Sequence, residues 1–273
     1  MDKKAVRPQA QKEAAGLHKQ AQSDGAKAGS ERTDAKERLI VALDFPSAGR
    51  AMDLVDRLDG CCRWFKVGME LYYAAGNRVI EGLRERGYEV FLDLKLHDIP
   101  NTVAGAVRSV AGVGASLLTI HACGGEQMMR AAAQAAKAPG GPKLLAVTVL
   151  TSMDTAELRA VGVSGAHSSA ANALHSQVLR LARLAQAAGI DGLVCSAEEV
   201  ETVRAAMGPD MKLVVPGIRP AGTAGQDDQR RVASATDAIA RGASMLVVGR
   251  PITQAADPAR VAAGILEEIS GAE

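Results

Sequence analysis

The segment FLDLKLHDIPNT, residues 91–102, contains the pattern from which the fold is predicted. Its alternate apolar positions are Leu92, Leu94 and Leu96. Asp93 and Lys95 stand between these leucines, and this two-residue period is that of a β-strand with one apolar and one charged face. Pro100 cannot continue a sheet and restricts the residue before it, so the strand is predicted to end there abruptly and lead into a loop.

Seven further short runs rich in Val, Ile and Leu bring the predicted strands to eight. In chain order the runs are LIVALD (39–44), WFKVGM (64–69), VFLDLKL (90–96), SLLTIHA (116–122), KLLAVTVL (143–150), GLVCS (192–196), KLVVPGI (212–218) and MLVVGR (245–250). Longer segments of helical period separate them, which predicts parallel βαβ units. Eight units close a (β/α)8 barrel, so we predict an α/β fold with a single TIM barrel. A doubly wound open sheet is the competing architecture.

The spacers between the runs have apolar residues at three- and four-residue intervals. The clearest are AMDLVDRL (51–58), NRVIEGLRERG (77–87), TVAGAVRSVAG (102–112), LHSQVLRLARLAQAAG (174–189) and PARVAAGILEEI (258–269). Several end in Gly, a common helix terminator. The connection from residue 151 to 190 is longer than the others and contains the polar piece GVSGAHSSA before its helix.

The first 36 residues differ in composition from the rest of the chain. Residues 1–36 contain no Ile, Phe, Tyr or Trp and a single Leu, which is too little apolar surface to offset the entropy lost on ordering. We predict a disordered or loosely ordered N-terminal extension, followed by one catalytic barrel domain over residues 37–273. Acidic residues such as Asp2 and Glu13 argue against a transit peptide.

The charge balance indicates which classes of partner to expect. The 32 basic and 31 acidic side chains leave a formal net charge of +1, so neither nucleic acid nor an anionic membrane is predicted as a partner. No apolar run is long enough to span a membrane, and the four cysteines form no CxxC pair. We therefore predict a cytoplasmic protein that binds a small molecule, with no structural metal or disulfide framework.

Polar residues follow nearly every predicted strand, at the end where a barrel carries its active site. In strand order they are Asp44, Lys66, Asp93, Lys95, His121, Thr151, Ser196, Arg219, Gly249 and Arg250. Because the carboxyl ends of parallel strands meet at one rim, we expect these residues to surround a common pocket.

Strands seven and eight end in two similar turns, PGIRP (216–220) and VVGRP (247–251). Glycine lets backbone N–H groups approach an anion, and arginine offers a fork of donors that matches phosphate oxygens. The loops after these two strands are the usual phosphate site of the barrel, which predicts a phosphorylated substrate. The polar segment AGTAGQDDQRR (221–231) follows directly and is predicted to be a mobile lid.

These motifs together resemble the orotidine 5′-phosphate decarboxylase family. The resemblance rests on DLKLHDIPNT (93–102), with its Asp-x-Lys-x-x-Asp-Ile-Pro-x-Thr pattern, and on VALD (41–44), FKVG (65–68), LTSM (150–153), VVPGIRP (214–220), DDQRR (227–231) and VVGRPIT (247–253). It covers about residues 37–270. It implies decarboxylation of orotidine 5′-phosphate to UMP without metal or organic cofactor, the last step of pyrimidine nucleotide synthesis.

The resemblance also implies roles for named residues. Lys66, Asp93, Lys95 and Asp98 would form an alternating series of charges in which each carboxylate is flanked by ammonium groups. Lys95 would donate the proton to C6 of the pyrimidine, and Asp93 would lie near the substrate carboxylate. The remaining substrate contacts would be Asp44 and Lys66 at the ribose, Thr151 at the pyrimidine, and Arg219, Gln229, Gly249 and Arg250 at the phosphate.

Two of these assignments depend on segments outside the strands. Gln229, on the predicted lid, is favoured over Gln226 as the phosphate partner because it belongs to DDQRR. The resemblance also implies a homodimer with shared sites, in which Asp98 and Thr102 enter the active site of the neighbouring subunit.

Two other hypotheses stay open at this point. A magnesium-dependent sugar-phosphate decarboxylase or aldolase of a sister barrel family shares Asp-x-Lys-x-x-Asp, but it matches IPNT, PGIRP and DDQ poorly. A non-catalytic nucleotide-binding barrel would be expected to have lost a charged residue of the series, and all four are present. His97 and His121 are interpreted as scaffold residues rather than catalytic ones.

Overall fold

Eight parallel strands form the core of the computed structural model, which describes residues 35–58, 60–163, 170–220 and 232–272. The strands are β1 (Leu39–Ala42), β2 (Trp64–Gly68), β3 (Glu89–Leu96), β4 (Leu117–His121), β5 (Lys143–Val147), β6 (Gly192–Val194), β7 (Lys212–Val215) and β8 (Met245–Val248). Each strand pairs with the next, and β8 pairs with β1, which closes the barrel. The predicted (β/α)8 barrel is confirmed, and the open doubly wound sheet is wrong.

Helices lie between successive strands and surround the barrel. They are α1 (Ala48–Leu58), α2 (Met69–Ala75), α3 (Arg78–Glu85), α4 (Pro100–Ala111), α5 (Gly125–Ala136), α6 (Thr155–Ala160), α7 (Ala170–Ala187), α8 (Val200–Met207), α9 (Ala235–Ala240), α10 (Arg250–Thr253) and α11 (Pro258–Ser270). None of the described helices is long and apolar enough to cross a membrane. The predicted extension and the predicted lid lie outside the described residues, apart from the last two residues of the extension, Ala35 and Lys36.

Two apolar layers hold these elements together. The larger lies between the outer faces of the strands and the helices and includes Leu39, Val41 and Phe65, all fully buried. The smaller fills the inside of the barrel. Its buried members are Ile40, Ala42, Phe91, Leu117, Leu145, Val214, Met245 and Val247. Neighbouring strand residues thus alternate between the two layers, as the two-residue period requires.

Several strands end earlier than their apolar runs. The run KLLAVTVL extends to residue 150, whereas β5 ends at Val147. The residues that follow leave the sheet and form the loops at the carboxyl-terminal rim.

Helix α6 is not among the predicted helices, although Asp154 and Glu157 form a capping box at its start, with the Asp154 side chain accepting from the Glu157 N–H.

Strand β3 is irregular where it approaches the rim. Leu92 pairs with Leu118 on β4, but the next paired residue, Leu96, is opposite Ile120. Four residues of β3 therefore span two residues of β4, as in a β-bulge. Lys95 lies in this stretch with a φ of 50° and is the only non-glycine residue of positive φ among the described residues.

At the opposite, amino-terminal end of the barrel, Arg204 of α8 joins two loops, which precede β7 and β8. Its guanidinium donates to the carbonyls of Gly208 and Met211 at 2.8 and 2.7 Å, and to that of Gly242 at 2.8 and 3.0 Å. It also donates to Ser244 Oγ at 3.0 Å. Since these groups belong to the loops that flank β7 and β8, one side chain fixes the ends of two strands. Residues at this end of a barrel serve stability rather than chemistry.

The first prediction concerns this arginine. Arg204→Met should lower the free energy of unfolding by about 2 to 4 kcal/mol, because several partly buried carbonyl groups lose a charged donor. Urea denaturation followed by far-UV circular dichroism measures the change. Arg180→Met, at an exposed position of α7, is the matched control and should leave the midpoint unchanged. Equal midpoints for both variants would contradict the role assigned to Arg204.

Candidate active site

A cavity of ≈ 290 Å³ opens at the carboxyl-terminal rim of the barrel. Most of the residues predicted for the site line it. They are Asp44, Lys66, Asp93, Lys95, Thr151, Arg219, Gly249 and Arg250. Its floor is formed by inward-facing apolar side chains, among them Ala42, Phe91 and Val247. The expectation that strand ends converge on one pocket is therefore met for residues from six of the eight strand–loop units.

Asp44, Lys66, Asp93 and Lys95 form a continuous line of alternating charges, here called the charged row. The Lys66 Nζ donates to Asp44 Oδ1 at 2.9 Å and lies 3.7 Å from Asp93 Oδ2. The Lys95 Nζ donates to both carboxylate oxygens of Asp93, each at 2.9 Å. The row crosses three adjacent strands near the rim, since Asp44 follows β1, Lys66 lies in β2 opposite Ala42 of β1, and Asp93 and Lys95 lie in β3.

Burial differs along the charged row and determines how strongly its charges interact. The side chains of Lys66 and Asp93 are 11% and 13% exposed, whereas that of Asp44 is 56% exposed. Burial by itself would raise the pKa of Asp93, but the charges of Lys66 and Lys95 and the hydrogen bonds from Lys95 and Thr119 outweigh it. The pKa of Asp93 consequently lies below its usual value, and its carboxylate is ionised at neutral pH.

Gly68 is required for the first pair of the charged row. A Cβ atom at this position would lie 2.9 Å from Lys66 Nζ and 3.1 Å from Asp44 Oδ1. Any side chain would therefore displace the ammonium group from its present place. The motif FKVG (65–68) includes this glycine, but sequence reasoning gave it no role of its own.

Thr119 of β4 is a second residue that sequence reasoning missed. It is fully buried, and its hydroxyl contacts both the Lys95 backbone N–H and the Asp93 carboxylate. In the sequence it is an ordinary threonine inside an apolar run, and its contact with β3 depends on the irregular register between the strands. No local pattern could have identified it.

Two arginines lie at the other end of the pocket, after β7 and β8. Arg219 follows Gly217, whose φ of 81° needs glycine, and the Arg219 side chain donates to the Ile218 carbonyl at 2.9 Å. Arg250 begins α10 directly after Gly249. Arginine donors and a helix start at one place make this end suited to an anion such as phosphate. Gln226 and Gln229 lie outside the described residues.

The chain segments on either side of the predicted lid are tied together. The Arg219 N–H donates to the Ala233 carbonyl at 2.9 Å, and Ile218 and Ala233 form an isolated parallel bridge. The described residues on either side of 221–231 therefore meet at the rim, next to the arginine end of the pocket.

Asp98 and Thr102 are not brought to this pocket within the single chain. Asp98 is exposed, and its Oδ1 accepts the Ile99 N–H at 2.6 Å, just before α4 begins. Thr102 is exposed in the first turn of that helix. Ile99, between them, is 67% exposed, which is unusual for an isoleucine. The loop and the start of α4 therefore present both apolar and polar side chains on the surface of the chain.

The two histidines named in the sequence analysis lie at the ends of neighbouring strands, with His97 directly after β3 and His121 as the last residue of β4. The rings of His97 and His121 stack with centroids 5.3 Å apart. Burial, together with the charges of His97 and Lys95, lowers the pKa of His121. Neither ring lines the cavity in the described part of the chain, so the neutral His121 is placed to pack rather than to transfer protons to a ligand.

The second prediction uses the depressed pKa of Asp93. Because the folded-state pKa lies below the unfolded value of about 3.9, the ionised carboxylate contributes stability that is present above that pH and lost as the pH falls through the folded pKa. Asp93→Asn should therefore melt at a lower temperature than the wild type near neutral pH. The difference in melting temperature between the two proteins should become smaller below about pH 4.

Thermal melts of both proteins across this pH range measure the gap. Asp53→Asn, at an exposed position of α1, is the control, and its melting temperature should follow that of the wild type throughout. A gap for Asp93→Asn that stays constant or widens with acidification would contradict the assignment of a stabilising, low-pKa carboxylate.

Comparison with known proteins agrees with the geometry of the site. The family model described as "Orotidine 5'-phosphate decarboxylase / HUMPS family" matches residues 37–265. An orotidine 5′-phosphate decarboxylase of Halorhodospira halophila is 51% identical over 236 residues, which are 86% of this chain and 97% of that protein. One from Pseudomonas aeruginosa is 48% identical over 233 residues, which are 85% of this chain and 97% of that protein.

Solved structures give the same result for the fold. The crystal structure of orotidine 5′-phosphate decarboxylase from Lactobacillus acidophilus matches with a TM-score of 0.74 at 38% identity. The match covers 85% of this chain and 99% of that one. A family model that spans most of the barrel, and relatives of nearly full length at about half identity, lead to one conclusion. The chain belongs to the orotidine 5′-phosphate decarboxylase / HUMPS family.

Proposed function

We propose that the protein catalyses the decarboxylation of orotidine 5′-phosphate to UMP and CO₂ without a metal or organic cofactor. The observation that carries the proposal is the Lys95 ammonium, held 2.9 Å from both oxygens of Asp93 inside the pocket. The relatives described above, which are named for this activity, support it. The charged row offers the fixed charges that the reaction needs, and the arginine end offers a place for the phosphate.

The chemistry follows from where charge develops. The bond between C6 and the carboxylate carbon breaks, CO₂ leaves, and the electron pair remains at C6 in an orbital that the pyrimidine ring delocalises poorly. An ammonium fixed beside C6 stabilises this charge without having to reorganise, and it then supplies the proton that completes UMP. Lys95 has this role in our proposal, because it lines the pocket at the end of the charged row opposite Asp44.

Asp93 has two effects on the same reaction. Its carboxylate accepts hydrogen bonds from the Lys95 ammonium through both oxygens and so fixes the direction of that group. In our proposal it also faces the substrate carboxylate, and two anions in a water-poor site repel each other until CO₂ departs. Lys66 balances Asp93 from the other side at 3.7 Å, so the site can hold this arrangement of charges before the substrate binds.

The rest of the pocket is proposed to bind parts of the substrate that do not react. Asp44 and Lys66 would bind the ribose hydroxyls, and Thr151 after β5 would contact the pyrimidine edge. Arg219, Gly249 and Arg250 would bind the phosphate, together with Gln229 from the segment 221–231. Contacts far from C6 can support catalysis when they hold the substrate in place and exclude water.

We also propose that the protein acts as a homodimer with shared active sites. The support is that Asp98 and Thr102 belong to the family motif but lie on an exposed surface, outside the pocket of their own chain. Ile99 adds an exposed apolar side chain to that surface, as expected where a partner covers it. Asp98 of one subunit would then extend the charged row of the other beyond Lys95.

The two alternatives receive less support. The relatives above are named orotidine 5′-phosphate decarboxylase, and none of those described is named for sugar-phosphate chemistry. A barrel that only binds nucleotides would have no need to keep nearly buried charges such as Lys66 and Asp93, which are costly to desolvate. The intact row therefore favours an enzyme.

The third prediction tests the proposed reaction directly. Purified wild-type protein in buffer with EDTA should consume orotidine 5′-phosphate, followed by its ultraviolet absorbance. Lys95→Ala should be slower by about a thousandfold or more, because both the charge at C6 and the proton donor are lost. Lys137→Ala, an exposed lysine just after α5, is the matched control and should keep full activity.

Either of two results would overturn the proposal. Folded wild-type protein that turns over no substrate would refute the activity. Activity that EDTA abolishes and magnesium restores would instead favour the sugar-phosphate enzymes, to be tested with sugar-phosphate substrates.

The fourth prediction tests the shared sites. Lys95→Ala and Asp98→Ala homodimers should each be nearly inactive. When the two variants are coexpressed, each mixed dimer should contain one site with Lys95 from one subunit and Asp98 from the other. An equal mixture should regain about a quarter of the wild-type sites, because half of the dimers are mixed and each has one intact site. A mixture as inactive as the separate variants would show that each site is built from a single chain.

A further inference from the structure

The backbone of Lys95 is held in an unusual conformation. Its φ of 50° lies in the left-handed region, which is unfavourable for a residue with a Cβ atom. The register of β3 against β4 also jumps between Leu92 and Leu96, so the Lys95 N–H has no regular ladder partner on β4. Something other than sheet pairing must hold this backbone in place, because strain of this kind persists only when the surroundings determine it.

The hydroxyl of Thr119 provides that contact. Thr119 lies in β4, is 0% exposed, and its Oγ1 accepts the Lys95 N–H at 2.8 Å. The same oxygen donates its proton to Asp93 Oδ1 at 2.9 Å. A hydroxyl is able to accept and donate at once, whereas the methyl groups of valine can do neither.

Asp93 is in turn held by several donors from different strands. Its Oδ1 accepts from Thr119 and from Lys95 Nζ, and its Oδ2 accepts from Lys95 Nζ and faces Lys66 Nζ at 3.7 Å. A closed ring results, from the Lys95 N–H through Thr119 and Asp93 back to the Lys95 ammonium. Both ends of the lysine are thus fixed through one hydroxyl.

We propose that Thr119 is a positioning residue for the decarboxylation, because its hydroxyl fixes the Asp93 carboxylate and the Lys95 backbone and so directs the Lys95 ammonium into the pocket. This inference rests on the proposed function. Thr119 acts through its neighbours, since it is buried behind the charged row and does not line the cavity. No sequence motif of the site includes it.

The inference predicts different effects on kcat and on KM when the Thr119 hydroxyl is removed. Thr119→Val keeps the shape of the side chain but removes the hydroxyl, so the carboxylate can rotate and the Lys95 backbone can relax. Displacing a reacting group by about 1 Å can cost about a hundredfold in rate. Among the groups proposed to bind ribose and phosphate, Asp44, Arg219 and Arg250 have no hydrogen bond to Thr119 in the described part of the chain. Lys66 lies near Asp93, but its own hydrogen bond goes to Asp44. We therefore expect kcat to fall by about 10- to 100-fold and KM to change by less than about threefold.

Thr119→Ser is the rescue variant, because it restores the hydroxyl without the methyl group. Its kcat should return to within about threefold of the wild type. If Thr119 had a purely structural role, Thr119→Val would instead be more active and more stable than Thr119→Ser, since valine fills the buried space better than serine does. If Thr119→Val does not fold, Thr119→Cys carries the same expectation, because a thiol of similar size bonds only weakly.

Thr148→Val is the matched control. Thr148 is also 0% exposed, follows β5 at the same rim, and its hydroxyl donates to the Val194 carbonyl at 3.0 Å. Its loss should lower the melting temperature but leave kcat unchanged, because it does not contact the charged row. The comparison separates loss of a buried hydroxyl in general from loss of this one.

The experiment is steady-state kinetics of the wild type and these variants on orotidine 5′-phosphate, with melting temperatures measured in parallel. A slow Thr119→Val that Thr119→Ser rescues, beside a fully active Thr148→Val, supports the inference. Wild-type kcat in Thr119→Val, a Ser variant as slow as the Val variant, or an effect on KM alone would overturn it. A wild type that does not turn over the substrate would refute the proposed function instead, so the two failures are distinguishable.

Discussion

The active site depends on keeping charges of opposite sign in contact where little water can reach them. Asp93 is nearly buried between Lys66 and Lys95, and each of these ions would be costly to desolvate alone. Only a scaffold that brings several strand ends to the same height can supply the partners. The closed barrel does this for β1, β2 and β3, and so the row of charges is a direct product of strand order.

Closure of the barrel also brings the two ends of the pocket together. Because β8 pairs with β1, the arginine that follows β8 lies beside the strand that ends in Asp44. In the sequence these residues are about as far apart as the domain allows, yet they line one cavity. A substrate that places a sugar between a phosphate and a reacting ring fits this geometry, since it needs an anion site and a charged site a short distance apart.

Much of the fold and the site could be predicted because the signals are local. Eight apolar runs with helical spacers determine the barrel, and polar residues at strand ends determine the pocket. The roles of Thr119 and Gly68 were not predicted, because they depend on contacts with other parts of the structure. The role of Thr119 depends on the register jump between β3 and β4, and that of Gly68 on the limited space around the Lys66 ammonium. Asp98 and Thr102 are assigned to a site by the family motif alone, since neither lines the pocket of its own chain.

The left-handed backbone of Lys95 has a consequence for how this position can vary. Glycine would adopt this backbone freely, but it carries no ammonium and would leave Asp93 with one cation fewer. Foldability and chemistry therefore favour different residues at the same place, a conflict often met where catalytic groups are strained. Lysine at this position therefore requires an unfavourable backbone conformation. Position 95 is thus a point where selection for activity and selection for stability act in opposite directions.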